Sequence, residues 1–429
     1  MATVPEIMFA AAEDSALLNG GNADKAKRST SDKNYGRQQW WSRSWVVVLA
    51  LVVGIMTLIV VRISSRDNYQ DDDDVFDSGV NIAFVGNSML YFNDFPRFFQ
   101  ALAGDSLVRH QDSCLHGGGN IPSLLIEGNA MYPQFSTSAA ILEGPTYHTK
   151  HTIYDYGACT PEQLVTGRDI RLVDPGYAQP ADESEGNFNP CREDSEYLKW
   201  ATDYYGRQFT TEWQYVVIND NTRDPARAST RGRSLDFLVQ FWAPLLRFSG
   251  ATPVLLWTHA YEPISTVQHT HNMTGLEDMA NFTSLTYAGL KAYVRVLSPL
   301  LPAHQQPRIA PSGLAFLAVY EDNRDVWHAL FHNADHLHAS PSGTFLQGLC
   351  VYHTLFGKLP PKSDVVRHHM EHFWETARMM QHAWEPPNPI PTQQEASYLY
   401  DIAERILVQG YVPSTFINYT NGEVAYGQD

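Results

Sequence analysis

Residues Val80 to Pro96 read VNIAFVGNSMLYFNDFP and carry the strongest indication of the fold. Its first six residues form a short apolar run that ends at Gly86 and Asn87, which is the pattern of a buried parallel strand. A helix is predicted over Phe95–Ala103, because Pro96 stands in the first turn, where a missing N–H is harmless, and the apolar side chains fall on one side. A strand followed directly by a helix is typical of the start of an α/β fold.

The alternation of strands and helices continues along the chain. Apolar strand patterns recur at residues 215–218 and 253–257, and helices are predicted around residues 235–248, 285–296 and 342–355. Strands that alternate with helices predict a parallel sheet that is covered on both faces.

Length, charge and cysteine spacing restrict the class of protein. A chain of 429 residues can bury a full core, and its net charge of -17 at pH 7 argues against a nucleic-acid partner, which requires clustered Lys and Arg. Cys114, Cys159, Cys191 and Cys350 lack zinc-like spacing, so they are free thiols or disulfides. We expect Cys159 to pair with Cys191, because they flank a loop-like stretch where a bridge restrains much chain entropy.

Three N-terminal segments are predicted to precede the folded domain. Residues 1–44 are small, polar and mixed in charge, which indicates a disordered cytoplasmic tail. Residues 45–62 begin with WVVVLALVVGIMTLIVV, an uncharged run long enough to cross a hydrocarbon core of about 30 Å, which predicts a transmembrane helix that acts as an uncleaved signal anchor. A buried core helix is the alternative. Residues 63–79 contain four consecutive aspartates and are predicted to form an acidic stalk.

The predicted orientation is that of a single-pass type II membrane protein. Basic residues precede the apolar run, which favours a cytoplasmic N-terminus. Asn272, Asn281 and Asn418 stand in glycosylation sequons after this run, and they can be modified only if this part enters the secretory lumen or reaches the cell exterior. The sequence EDSALL at residues 13–18 resembles an acidic dileucine signal for sorting to endosomes, lysosomes or a vacuole.

Ser88 is the candidate nucleophile. It directly follows the first predicted strand, and in doubly wound sheets the reactive groups collect at the carboxyl ends of strands. Its hydroxyl requires a base that is oriented by a carboxylate, and Asp335 and His338 lie three residues apart in one loop before a helix. Asp335 would orient the imidazole, and His338 would take the Ser88 proton and return it to the leaving group. Helix capping by Ser88 is the alternative.

Acyl transfer also needs hydrogen-bond donors for a developing oxyanion. The glycine-rich loop HGGGN at residues 116–120 offers backbone N–H groups, although phosphate is a rival ligand for such a loop. Asn219, after the strand at residues 215–218, offers a side-chain amide, and turn formation is its alternative role.

A zinc site is the alternative interpretation of the C-terminal histidines. His328, His332 and His336 are spaced by four residues, so they could share one helical face and bind the metal. No HExxH motif accompanies them.

Together these residues resemble the SGNH (GDSL-type) hydrolase superfamily. Residues 84–96 are similar to the family's first sequence block in members that carry Gly-Asn-Ser instead of Gly-Asp-Ser, and residues 335–343 resemble its last block. The family's third block, Gly-x-Asn-Asp, here lacks its glycine and reads VIND. The four family markers map to Ser88, Gly118 (with Gly119 possible), Asn219 (with Asn221 as a fallback) and His338.

The resemblance implies a three-layer α/β/α flavodoxin-like fold over residues 80–360, with an insertion at about 145–204 and a helical extension at 361–429. It also implies hydrolysis of a carboxylic ester through an acyl-enzyme, without a metal or an organic cofactor. The expected substrate is a small-molecule, glycan or lipid ester. Two alternatives stay open, namely an acyltransferase that uses the same triad and a catalytically silent lumenal binding ectodomain.

Overall fold

The computed structural model describes residues 79–130, 157–168, 191, 195–208, 212–262, 273–333, 335–368, 371–375 and 388–420. The predicted tail and transmembrane helix, and the stalk apart from Gly79, lie outside the described residues. Within the described ranges, no helix is both long enough and apolar enough to span a bilayer. The chain divides into Met1–Asp71 and Asp72–Asp429, and every described residue belongs to the second unit.

One parallel sheet organises the described part of the chain. Its strands occur in the order β2-β1-β3-β4-β5, which is the flavodoxin-like order of a doubly wound sheet. Both β1 and β4 are buried along their full length, so both faces of the sheet are covered. The predicted α/β class with a parallel sheet is confirmed. The strands are β1 (Val80–Gly86), β2 (Val108–Leu115), β3 (Tyr215–Ile218), β4 (Thr252–Leu256) and β5 (Arg308–Ala310).

Helices connect the strands and surround the sheet. A 3-10 turn at Phe92–Asp94 follows the first helix, and a π-helical turn at Leu238–Trp242 joins the seventh to the eighth. In chain order the α-helices are α1 (Ser88–Tyr91), α2 (Phe95–Ala103), α3 (Ile121–Glu127), α4 (Pro161–Thr166), α5 (Ser195–Gln208), α6 (Arg223–Ala226), α7 (Ala228–Phe237), α8 (Ala243–Ser249), α9 (Met279–Leu297), α10 (Ser312–Asp322), α11 (Arg324–Ala329), α12 (Pro341–Phe356), α13 (His372–Glu375), α14 (Gln393–Leu407) and α15 (Ser414–Thr420).

Large aromatic side chains pack strand β1 against helix α2. Phe84 on β1 packs edge-on against Phe95 and Phe99 of α2, with ring centroids 5.9 and 6.1 Å apart. All three rings are fully buried, and each buried aromatic side chain contributes roughly 1.5–3 kcal/mol. These contacts fix α2 on the sheet directly after the turn that carries Ser88.

The described parts of the predicted insertion and extension are helical. Helices α4 and α5 belong to the insertion, and the predicted disulfide between Cys159 and Cys191 is confirmed. Helices α13 to α15 belong to the extension, and α14, whose Leu399, Ile402 and Ile406 are buried, packs against α10 and α12.

Candidate active site

Asn87 connects the carboxyl ends of three strands. Its Oδ1 accepts hydrogen bonds from the Met89 N–H (3.0 Å) in α1 and from Nδ2 of Asn219 (2.8 Å) after β3. Its Nδ2 donates to the carbonyl oxygen of Gly119 (2.8 Å) after β2. The side chain is buried, so these bonds do not compete with water. Ser88 follows this residue and therefore starts from a fixed backbone position.

Gly86 is required by the close approach of Asn219. A Cβ atom at Gly86 would lie 1.8 Å from Asn219 Oδ1, which instead accepts the Asn87 N–H at 2.9 Å. The glycine of the Gly-Asn-Ser sequence therefore makes room for a side chain of the neighbouring strand's loop.

The structure gives Asn219 a structural role. Both hydrogens of its amide are engaged, one with Asn87 Oδ1 (2.8 Å) and the other with the Asp220 carbonyl oxygen (3.0 Å), and the residue is fully buried. It therefore offers no free donor to a substrate oxygen in this arrangement. The fallback, Asn221, is partly exposed and uses one amide hydrogen on the carbonyl oxygen of Gly118 at 3.2 Å. A second amide hydrogen of Asn221 stays available at this edge of the sheet.

The glycine loop presents Gly118 at its exposed tip. Gly118 has a φ of +63°, and its N–H makes no hydrogen bond within the described residues. Gly119 behind it is packed, because a Cβ atom there would lie 2.9 Å from the Cβ of His116. The buried His116 ring has Nδ1 2.8 Å from the Gly128 carbonyl oxygen and Nε2 3.1 Å from Glu127 Oε2. The two contacts hold the ring beneath the glycine loop.

Asp220 holds the end of the glycine loop by hydrogen bonds. Its Oδ1 accepts the Ile121 N–H (2.9 Å) at the start of α3, and its Oδ2 accepts the hydroxyls of Ser234 (2.9 Å) and Tyr293 (2.7 Å). Burial, together with the nearby Asp224 carboxylate, raises the pKa of Asp220 to about 7. The loops after β2 and β3 are thus joined by buried hydrogen bonds.

Asp335 and His338 form the predicted pair. Nδ1 of His338 lies 2.6 Å from Asp335 Oδ2, while Asp335 Oδ1 accepts the N–H groups of Leu337 (2.9 Å) and His338 (3.0 Å). Burial alone would raise the pKa of Asp335, but the His338 ring and these hydrogen bonds hold it well below its usual range. The carboxylate is therefore ionised, and it keeps the proton of the imidazole on Nδ1.

The His338 loop lies against the turn that carries Ser88. The imidazole stacks on Phe92 with ring centroids 3.6 Å apart, and Phe92 is one helical turn beyond Ser88. Asn93 Nδ2 donates to the carbonyl oxygen of Ala339 at 2.9 Å. Within the described residues, neither the buried Nε2 of His338 nor the Ser88 hydroxyl has a hydrogen-bond partner. The structure brings the two residues into one region without a hydrogen bond between them, as is common before substrate binds.

The three histidines of the alternative zinc site do not have the helical arrangement that their spacing suggested. Helix α11 ends at Ala329, so His332 and His336 do not share a helical face with His328. Nδ1 of both His328 and His336 instead contacts the carboxylate of Glu262. In the parts of the chain that the structure describes, no three candidate ligands converge on one point.

The three predicted glycosylation sites lie in different surroundings. Asn272 is outside the described residues. Asn281 is half-buried in the first turn of α9, where its Nδ2 donates to the Gly275 carbonyl oxygen at 3.3 Å. Asn418 is exposed on α15. Their modification stays a prediction.

Comparison with known proteins gives two solved structures. One is a protein from Slackia heliotrinireducens, described provisionally as an SGNH hydrolase, with 14% identity and a TM-score of 0.32 over 65% of this chain and 99% of that one. The other is a DUF4886 family protein from Bacteroides uniformis, with 11% identity and a TM-score of 0.42 over 78% of this chain and 97% of that one. No family model and no curated protein sequence matches the chain. Neither structural likeness decides the activity.

Proposed function

We propose that the protein is a serine hydrolase of carboxylic esters, with Ser88 as nucleophile, His338 as general base and Asp335 as the carboxylate that orients His338. One observation carries the proposal: the Asp335 carboxylate holds Nδ1 of His338 at 2.6 Å, while the buried Nε2 on the other side of the ring has no partner within the described residues. A neutral imidazole in this tautomer has its basic nitrogen free to accept a proton.

The proposed reaction has two acyl-transfer steps. Ser88 Oγ attacks the acyl carbon and its proton passes to Nε2 of His338, so that a tetrahedral oxyanion forms next to an imidazolium. The imidazolium then protonates the leaving alcohol, and the acyl group stays on Ser88. Water attacks this ester with His338 again as base, and the acid leaves as Ser88 recovers its proton.

The proposed oxyanion donors are the N–H of Gly118 and the side-chain amide of Asn221. Both are on the loops that follow β2 and β3, and both keep a hydrogen free of other bonds within the described residues. Removing one such donor in other hydrolases lowers the rate by roughly 10²–10³-fold. Asn219 supports these loops through Asn87 rather than by contact with substrate.

We place the domain on the lumenal or extracellular side of a membrane, as a single-pass type II protein with a glycan, lipid or other small ester as its substrate. The uncharged run in residues 45–62 and the sequons that follow it support this placement. The Cys159–Cys191 disulfide also supports it, because such bonds persist in oxidising compartments.

Labelling with a fluorophosphonate probe tests the proposed function. The full-length protein in detergent should react, whereas Ser88→Ala and His338→Ala should not, and the exposed Ser229→Ala serves as the matched control. Absence of labelling in the folded wild type would refute the proposal and favour a silent binding ectodomain. Labelling without release of acid from short esters, unless an alcohol acceptor is added, would assign an acyltransferase instead.

A further inference from the structure

Glu262 is a buried carboxylate next to the His338 loop. It lies in the segment that follows β4, and its side chain is only 5% exposed. Its Oε2 is 2.6 Å from Nδ1 of His336, and its Oε1 contacts Nδ1 of His328. Its backbone N–H also donates to the carbonyl oxygen of His336 at 3.2 Å. Glu262 therefore holds His336 by both its side chain and its main chain.

His336 occupies the centre of the turn between Asp335 and His338. Its φ of +54° is in the left-handed region, which residues other than glycine adopt rarely. The turn at this residue lets Asp335 Oδ1 accept the N–H groups of both Leu337 and His338. The carboxylate–imidazole distance therefore depends on a backbone conformation that the local sequence does not favour.

A second buried side chain supports the same turn. Nε2 of His259 donates to the carbonyl oxygen of Leu337 at 3.0 Å, and the ring stacks on Phe316 with centroids 4.2 Å apart. Burial lowers the pKa of His259 to about 4, so the ring is a neutral donor. The segment after β4 thus contacts the carbonyl groups of two successive residues in the loop.

We propose that Glu262 is a positioning residue, which keeps His336 in its left-handed conformation and so fixes Asp335 against His338. The inference rests on the proposed function for its catalytic consequence, but its structural consequence can be measured independently. Glu262 is too far along the chain for any motif to include it, and it acts only through the loop.

The test uses Glu262→Gln and His336→Asn in the full-length protein. Gln keeps the size of Glu262 but turns an amide N–H group towards one imidazole, and Asn tolerates the left-handed backbone while losing the ring. Glu321→Gln is the matched control, because Glu321 of α10 also accepts hydrogen bonds from another segment, namely from the N–H groups of Thr415 (2.6 Å) and Ser414 (3.0 Å) in α15.

Two readouts are required. Both test variants should react with the fluorophosphonate roughly 10–10²-fold more slowly than wild type, since small misplacements of catalytic groups cost this much, and the control should stay within about twofold. Both should also lose the downfield proton NMR signal of the His338 Nδ1–H in its bond to Asp335, which Ser88→Ala and the control should retain.

The outcomes separate the two proposals. Wild-type labelling rate and an intact downfield signal in Glu262→Gln would overturn the positioning role while leaving the hydrolase proposal in place. An unreactive wild type whose downfield signal disappears in Glu262→Gln would refute the hydrolase and support the positioning role. If circular dichroism shows that Glu262→Gln does not fold, His336→Asn decides by the same criteria.

Discussion

Asn87→Asp changes one atom at the centre of the site. The Nδ2 of Asn87 donates to the Gly119 carbonyl oxygen at 2.8 Å, and a carboxylate oxygen at this position would face another acceptor. The second oxygen would keep the bonds from the Met89 N–H and from Asn219 Nδ2. The substitution also converts Gly-Asn-Ser into Gly-Asp-Ser, the sequence found in other members of the SGNH superfamily that the chain resembles.

The expected cost of the substitution follows from these contacts. Loss of the bond to Gly119 removes about 1 kcal/mol, and a buried acceptor without a partner costs a further 1–3 kcal/mol. The new negative charge at the start of α1 recovers about 0.3–1 kcal/mol from the helix N-terminus. We expect a net loss of about 1–4 kcal/mol at pH 8. A protonated Asp could donate to Gly119, so the loss should shrink at pH 5.

Urea unfolding, followed by tryptophan fluorescence at pH 8 and pH 5, measures this loss relative to wild type at each pH. Asn221→Asp is the control, because Asn221 also donates its amide to a glycine carbonyl in the same loop but is partly exposed. Its free energy of unfolding should change by less than about 0.5 kcal/mol. Equal losses in the two variants, or an Asn87→Asp protein as stable as wild type at pH 8, would refute the reasoning.

Three further predictions concern the Asp335–His338 pair, the Cys159–Cys191 disulfide and two acids whose pKa is raised, Asp112 and Asp220. Asp335→Asn should lower kcat on a short aryl ester by about 10³–10⁴-fold without unfolding the protein, because the amide no longer enforces the Nδ1–H tautomer of His338. Cys159→Ser opens a bridge between residues 32 apart and should lower the free energy of unfolding by about 3–4 kcal/mol, as measured in urea. Burial raises the pKa of Asp112 from 3.8 to about 6 and that of Asp220 from 3.8 to about 7. The folded state therefore binds these two protons more tightly than the unfolded state does. The protonated acids stabilise the fold fully below the unfolded pKa, and this stabilisation is lost as the pH rises through the folded pKa values. The urea midpoint should therefore fall between pH 5 and pH 8, and less so in Asp112→Asn.

The elements that the sequence predicted well carry local signals. The bounds of β3 and α2 agree with the prediction, and β1 extends one residue beyond it, because continuous apolar runs and a first-turn proline act over a few residues. Strand β2 was not predicted, since VRHQDSCL at Val108–Leu115 buries only its ends fully. It is an edge strand, and Tyr205 of α5 donates to its Asp112 at 2.8 Å. Strand β5 was also missed, because its three residues are too few to show an apolar run or an alternation of apolar and polar side chains.

The choice between Asn219 and Asn221 could not be made from the sequence. The N–H of Asn219 donates to the Val85 carbonyl oxygen at 3.0 Å, so the ladder between β1 and β3 continues one residue beyond the apolar run. This extension turns the Asn219 side chain towards Asn87 and leaves the next asparagine at the surface. The place where a ladder ends depends on the partner strand, which no spacing reveals. Phe92 and Glu262 were missed for the same reason, since each acts on a loop far along the chain.

The polar groups at the carboxyl ends of the strands fall into two classes. Asn87, Asn219 and Asp220 use their hydrogen-bonding capacity inside the protein, and they hold the loops that follow β1, β2 and β3 together. The Asn221 amide and Nε2 of His338 keep capacity free within the described residues, and the His338 nitrogen is buried. A buried polar atom without a partner costs about 1–3 kcal/mol, which a domain that serves only to bind could avoid by an apolar substitution at this position. The proposed function gives this nitrogen a use, because the general base must accept the Ser88 proton there.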